Sequence, residues 1–321
     1  MSPKPPAWAN GRLVRPFLKH TPGGSKQVVR RVQFGENATF KVKGAKQDLS
    51  CRIYRPGRWT KKEILLEHRF IEILEKELIV PKPLANQEGE TLFSIEAHHT
   101  YLSFAPWLEG RDIGYSEPTD DELEMAGVLF AKMHLMTRKV SSKGETRIWD
   151  QSNLLDLTLE NFQGLKKKLF PKTHGHIEEK LKQVLSDLAQ KLSDTDTKTQ
   201  LCHADLHWGN LLVQGREMVP IDFDDCGWST KAYDLAVLTY ASRRKILSIS
   251  EMLSKIEIVL KGYQSISKDY PKKEEVFLYE LVRAIWLLGW IIERPDVFSL
   301  EQMRKRIEIR LTNLRKYLDE F

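Results

Sequence analysis

The segment His203-Ala204-Asp205-Leu206-His207-Trp208-Gly209-Asn210 places an acid two residues after a histidine and an amide five residues after that acid. Farther along, Asp222-Phe223-Asp224-Asp225 crowds three carboxylates into four residues. Side chains of these types can support phosphoryl transfer, a reaction that asks a protein for positioning and charge stabilisation more than for covalent work. In such a scheme Asp205 accepts the proton of an attacking hydroxyl. Asn210 and Asp222, with Asp224 assisting, supply the hard oxygen ligands that Mg²⁺ requires. His203 is expected to brace the loop through a hydrogen bond, and His207 and Trp208 to be packing or surface groups. Asp225 reads as structural, and Asp234 as a helix cap that also ties down the loop.

The same stretch admits a second chemistry. His203, His207, Cys202 and Cys226 are residue types that bind Zn²⁺, although they lack a recognised ligand spacing.

The two acidic stretches must be positioned by the elements around them. Leu211 to Val213 and Met218 to Ile221 form a predicted hairpin around Gly215, which brings the Asp205 loop and the Asp222 loop together. Toward the N-terminus, Gln27 to Phe34, Ala38 to Lys43 and Leu49 to Tyr54 are β-branched or aromatic-rich runs that read as an antiparallel meander. Thr60 and Glu63 make a capping box for a helix whose apolar residues are Ile64, Leu65, Ile71, Leu74 and Leu78, stopped by Pro81 and Pro83. Phe93 to Ile95 and Tyr101 to Phe104 add two strands.

Beyond Pro106 the pattern turns helical, starting with a second capping box at Thr119 and Glu122. The acids Asp120 to Glu124 read as helix N-terminal charges. Helical periodicity recurs over 154–169, 177–192, 233–244, 251–267, 274–292 and 300–318. Residues 1–26 hold five prolines and a Gly-Gly pair, the composition of a flexible lead-in. The expected organisation is α+β: a small antiparallel sheet lobe with one helix over 27–106, and a larger, mostly helical lobe over 107–321, with a ligand in the cleft between them.

Composition bounds the function classes. A chain of 321 residues with 41% hydrophobic and 29% charged residues buries a real core and is neither disordered nor fibrous. No apolar run reaches the roughly 20 residues of a membrane span, and the first ten residues carry no signal-peptide core, so a cytoplasmic protein without a membrane partner is expected. Three cysteines form no disulfide framework. The net charge of +6 is spread along the chain among matching acids, which argues for a polyanionic nucleotide rather than nucleic acid as partner.

The H-x-D-x-x-x-x-N loop followed by D-x-D resembles the aminoglycoside phosphotransferase and choline kinase group, which has a two-lobed, protein-kinase-like fold. Within it the chain is similar to the stress response kinase A family of bacterial Ser/Thr protein kinases. Glu36-Asn37, the run Tyr54-Arg55-Pro56-Gly57-Arg58-Trp59-Thr60 and Glu67-His68 carry that second likeness. The resemblance implies ATP and Mg²⁺ as cofactors, with Glu36 and Asn37 covering the phosphates and Phe104 to Trp107 as the hinge that meets adenine. Because Pro106 lacks an N–H, the donor to the base must be another hinge residue. The resemblance also places a phosphate-contacting lysine on the third strand, paired with a helix glutamate; here these positions hold Arg52 and Glu67. An alternative reading makes Arg52 and Glu67 a purely structural ion pair.

Three functions compete: a Ser/Thr protein kinase, a kinase of a small hydroxylated molecule such as an aminoglycoside, choline or homoserine, and a non-catalytic nucleotide-binding pseudokinase. Asp205, Asn210 and Asp222 together argue against the last, since a binding module needs no base. The basic chain, with no acidic cluster beyond the helix cap, tilts toward a protein or neutral acceptor rather than a polycation.

Overall fold

The computed structural model describes residues 6–20, 28–44, 47–114, 117–140, 147–150, 153–154, 174–193, 195, 198–241, 248–292 and 298–320. The helix expected over 154–169 lies outside the described residues apart from its first position. The chain is α+β and divides into two compact units, Met1–Gly110 with Val219–Asp224, and Arg111–Met218 with Asp225–Phe321.

The first unit is built on an antiparallel sheet of β1 (Val28–Phe34), β2 (Ala38–Lys43), β3 (Leu49–Ile53), β4 (Phe93–Ile95) and β5 (Thr100–Pro106), in the order β1-β2-β3-β5-β4. Strand alternation decides what each face carries. Ala38, Phe40 and Val42 of β2 and Leu49, Cys51 and Ile53 of β3 are buried in one core with Phe93, Ile95, Leu102 and Phe104. Arg52, between Cys51 and Ile53, therefore projects from the opposite face, with Thr39 as its register partner.

Residues expected to be a flexible lead-in are partly ordered. Gly11–Leu13 and Arg15–His20 form 3₁₀ turns, and Ala9, Val14 and Leu18 join the sheet core. 3₁₀ turns tolerate a proline-containing sequence, and burial of three apolar side chains offsets the cost of ordering it. Helix α1 (Lys61–Leu74) begins at the expected capping box, with both reciprocal bonds formed between Thr60 and Glu63, but it ends at Leu74, so Leu78 lies beyond it rather than in its last turn.

In the second unit β6 (Arg111–Asp112) pairs with β9 (Leu211–Gln214); after the turn at Gly215, φ 61°, the chain continues as the hairpin strand β10 (Glu217–Pro220), whose last two residues are counted with the first unit. A second small sheet orders β7 (Ile148–Trp149), β11 (Gly227–Ser229) and β8 (Gln200–Cys202). Its helices are α2 (Asp120–Thr137), α3 (His174–Leu192), α4 (Lys231–Ala241), α5 (Ile249–Gln264), α6 (Lys273–Ile292) and α7 (Leu300–Glu320). The capping box of α2 is formed as expected, and Glu122 also binds Arg111.

Helices α2 and α5 cross backbone to backbone. A Cβ at Gly127 would come within 1.9 Å of the Val259 carbonyl oxygen, and one at Gly262 within 2.0 Å of the Glu124 carbonyl oxygen. Only hydrogen fits at either position. That contact sets Tyr263 of α5 against His134 of α2, with His134 Nδ1 2.9 Å from Tyr263 Oη.

Candidate active site

The predicted site residues fall into two groups, each organised within its own unit. In the first unit Arg52 bridges two acids. Its Nη1 donates to Glu67 Oε1 at 2.9 Å and its Nη2 lies 2.6 Å from Asp222 Oδ1. Burial disfavours the Arg52 cation, but Asp222 and Glu67, with a smaller contribution from Asp224, hold its pKa above the ordinary value. Glu67 is buried and also accepts from Tyr54 Oη at 3.2 Å, so its position is fixed from both sides.

Arg58 holds the next acid, with Nη1 2.6 Å from Asp224 Oδ2, an oxygen that also accepts from Asn37 Nδ2 at 2.7 Å. Burial opposes ionisation of Asp224, yet Arg58 and Arg52, aided by hydrogen bonds, pull its carboxyl down to about 2. The Glu36-Asn37 turn is locked from the same motif. Arg55 donates to the carbonyl oxygens of Gly35 (2.9 Å) and Glu36 (3.1 Å), and its N–H reaches Asn37 Oδ1 at 3.1 Å. Glu36 Oε2 lies 3.6 Å from both Arg55 and Arg58. Arg52, Glu67, Glu36, Asn37, Asp222 and Asp224 thus belong to one charged lattice.

The hinge candidates stand apart from it. The Phe104 side chain lies in the sheet core, edge-on to Phe93 at 6.1 Å, and its carbonyl accepts from Leu84. Trp107 donates its N–H to the Asp48 carbonyl at 2.9 Å and carries Lys41 over its ring at 4.4 Å.

The second unit holds the loop after β8. Ala204 has φ 62°, a left-handed backbone that costs a non-glycine residue about 1 kcal/mol or more. Asp234 maintains it: its two oxygens accept from the backbone N–H of His203 (3.2 Å) and Ala204 (2.7 Å). Asp234 is fully buried and meets His134 Nε2 at 3.0 Å. The sequence reading of Asp234 as a cap needs correction, because α4 starts at Lys231 and Thr230 caps it, its Oγ1 accepting from Tyr233 N at 3.1 Å. The loop-tying half of that expectation holds. His203 also braces the loop, Nδ1 accepting from Asp205 N at 3.4 Å.

The strained turn presents Asp205, whose side chain is 22% exposed and ion-paired through Oδ1 with Arg283 of α6. His207 Nε2 lies 3.8 Å from Asp205 Oδ2 while its Nδ1 caps Gly209 N; Trp208 is buried packing. Asn210 donates its amide nitrogen to the Asp205 carbonyl at 2.9 Å, which leaves its amide oxygen as the donor atom for a cation. Asp225 is buried, and its carbonyl accepts from Trp149 Nε1 at 2.7 Å.

The zinc set is not assembled. Among the described residues, the His/Cys/acid group with mutually close ligand atoms is His134, Cys202 and Asp234. Burial, and then Asp234, push the Cys202 thiol well above its usual range, which opposes the thiolate a metal would need. His203 and His207 are spent on bracing and capping the loop.

Sequence reasoning gave Arg55 and Arg58 no site role, although their motif was visible, and it missed His134 and Arg283. Arg283 did leave a signal: from Val276 to Ile292 helix α6 is apolar except for Glu280 and Arg283. A charge in such a stripe needs a buried partner.

Solved structures of the same fold include an amicoumacin kinase and a microcompartment-associated aminopropanol kinase. The amicoumacin kinase, determined in complex with AMP-PNP, Ca²⁺ and Ami, superposes with a TM-score of 0.77 at 19% identity, over 98% of this chain and 94% of its own. The protein belongs to the phosphotransferase enzyme family, whose profile matches residues 29–255, and is a kinase. Stress response kinase A of Salmonella choleraesuis and the serine/threonine protein kinase RdoA of Salmonella typhimurium are each 27% identical over 248 residues. These matches cover 76% of this chain and 70% of each relative. No described helix is long and apolar enough to cross a membrane.

Proposed function

We propose that this kinase moves the γ-phosphoryl group of ATP to a hydroxyl, with a protein Ser/Thr as the acceptor. The observation that carries the reading is Asp205, a partly exposed carboxylate on a strained turn held by a buried acid. That arrangement gives the carboxylate a defined position at a cost in backbone strain, as expected where a group must meet a reacting atom. The acceptor oxygen bonds to the γ-phosphorus as the bond from that phosphorus to the β–γ bridging oxygen breaks. ADP leaves, and the hydroxyl proton passes to Asp205.

Arg52, oriented by Glu67, supplies a permanent cation for the phosphates, and the Glu36-Asn37 turn covers them. Phe104 to Trp107 form the adenine-side hinge through backbone groups, with the Trp107 N–H released from Asp48 or another N–H of that segment used instead. The carboxylates of Asp222 and Asp224 in the first unit, and the Asn210 amide oxygen in the second, are hard oxygen donors of the kind Mg²⁺ takes; when bound, the ion would neutralise charge on the transferring phosphates. The relatives named as Ser/Thr and stress response kinases support a protein acceptor. The small-molecule kinase reading draws on the fold shared with the amicoumacin kinase.

Asp205→Asn keeps the shape and removes the base. Its kcat with Mg-ATP and casein as a generic Ser/Thr acceptor should fall by roughly two to four orders of magnitude, with nucleotide affinity by calorimetry nearly unchanged. Wild-type kcat in that variant overturns the mechanism, and a wild type that binds ATP without turnover identifies a pseudokinase.

A further inference from the structure

The carboxylate assigned above as the base does not stand alone. Arg283, rising from α6, pairs through Nη2 with Asp205 Oδ1 and donates through Nη1 to Tyr233 Oη at 3.2 Å. Its guanidinium lies over the Trp286 ring at 4.5 Å from the centroid, and Trp286 is edge-on to Trp149 at 6.1 Å. The Arg283 side chain is only 7% exposed, so it is held on three sides: by an acid, a phenol and an indole face. Tyr233 is itself buried and fixed, with Tyr279 edge-on to it at 6.2 Å.

Two physical consequences follow. A guanidinium fixed on Oδ1 selects one rotamer of Asp205, leaving Oδ2, 3.8 Å from His207, as the oxygen to meet a hydroxyl. Second, the aromatic wall beside the acid already has a cation on its face. Bare tryptophan faces beside an unpaired carboxylate would attract an ammonium-bearing acceptor; here the built-in guanidinium neutralises the acid and occupies the ring.

We propose that Arg283 is a positioning residue for Asp205 whose fixed positive charge restricts the acceptor to hydroxyls with no cationic group beside them, favouring those flanked by acids. The inference rests on the kinase reading above and narrows its acceptor class.

The test measures transfer from Mg-ATP by the full chain to three probes: a serine peptide flanked by aspartates, the same peptide flanked by lysines, and kanamycin. Wild type should favour the aspartate peptide over the lysine peptide by about tenfold in kcat/KM and leave kanamycin untouched. Arg283→Met should lower kcat by about a hundredfold, leave the KM for ATP unchanged and bring the peptide ratio near one. Arg283→Lys should keep the ratio while losing part of kcat, since an ammonium retains the charge but not the fork. An unchanged kcat and ratio in Arg283→Met overturns the inference and leaves the kinase reading standing. So does wild-type preference for kanamycin or the lysine peptide, or ATP hydrolysis with transfer to none of the three. If Arg283→Met does not fold, wild type and Arg283→Lys decide alone: a ratio at or below one in either overturns the inference. A wild type that turns over no Mg-ATP, even to water, removes the kinase reading and this inference with it.

Discussion

Among the described residues two loops carry a non-glycine residue in left-handed backbone at or beside a candidate functional acid, and they are held in opposite ways. Asp222, at φ 65° in the first unit, is secured by charge: Arg52 grips it, and Arg58 grips Asp224 two residues later. Ala204, at φ 62° in the second unit, is secured through its backbone by Asp234, an acid with no solvent exposure. The gripping arginines retain some exposure, 18% and 14% of their side chains. Ion pairs of that kind can exchange partners when phosphates or cations arrive, whereas a buried clamp on backbone N–H groups has nothing to exchange with. The first loop is built to be re-partnered and the second to stay put.

The sharpest break in this contrast is Asp234→Ala. It leaves two buried N–H groups without an acceptor beside a strained turn, and should cost about 3 kcal/mol or more of unfolding free energy in urea titration, along with most kinase activity. A loss below about 1 kcal/mol would mean that the loop holds its shape unaided. Arg52→Ala should be milder. Breaking one partner of the lattice is expected to raise the KM for ATP by about tenfold while the fold survives, and Arg52→Lys should preserve or raise activity. Identical ATP kinetics for wild type and Arg52→Ala would make the Arg52–Glu67 pair purely structural.

The smallest effect probes how far the lattice field reaches. His68, next to Glu67, is buried near Tyr54 Oη (3.4 Å) and Thr91 Oγ1 (2.7 Å), and burial, then Arg52, depress its pKa to about 4. The unfolded chain takes up this proton near the ordinary 6.5 while the folded one resists it. The resulting stability is therefore complete above pH 6.5 and is lost as pH falls toward 4. Between pH 6.5 and 5.5 the wild type should lose about 1 kcal/mol more than His68→Gln, measured by denaturant titration at each pH. Parallel pH curves for the two proteins would show that His68 titrates normally.

What was legible in the sequence was local. Both capping boxes announced helix starts because their partners sit three residues apart, and β-branched and aromatic-rich runs marked β2 and β3 as neighbouring strands. The H-x-D-x-x-x-x-N spacing was likewise a short-range signal. What stayed hidden depends on chain closure over long separations: Asn37 with Asp224, 187 residues apart, and Arg283 with Asp205, 78 apart. No periodicity encodes such pairs. The ordering of Val14 and Leu18 was missed for the same reason, since it depends on a sheet that forms later in the chain.

The glycine crossing of α2 and α5 has a consequence for how this protein can change over generations. At most packed positions a larger side chain can be accommodated by a smaller one opposite, so pairs of sites drift together. Gly127 and Gly262 each face a peptide carbonyl, the Val259 and Glu124 oxygens, and a carbonyl cannot be trimmed by mutation. Each position is closed to compensation from its partner helix, so a substitution there must be met by moving a whole helix. Because α5 also carries Tyr263 to His134, and His134 touches Asp234, that movement would be inherited by the clamp on Ala204. Two residues with no side chain at all thereby limit which neighbouring sequences this lineage can reach.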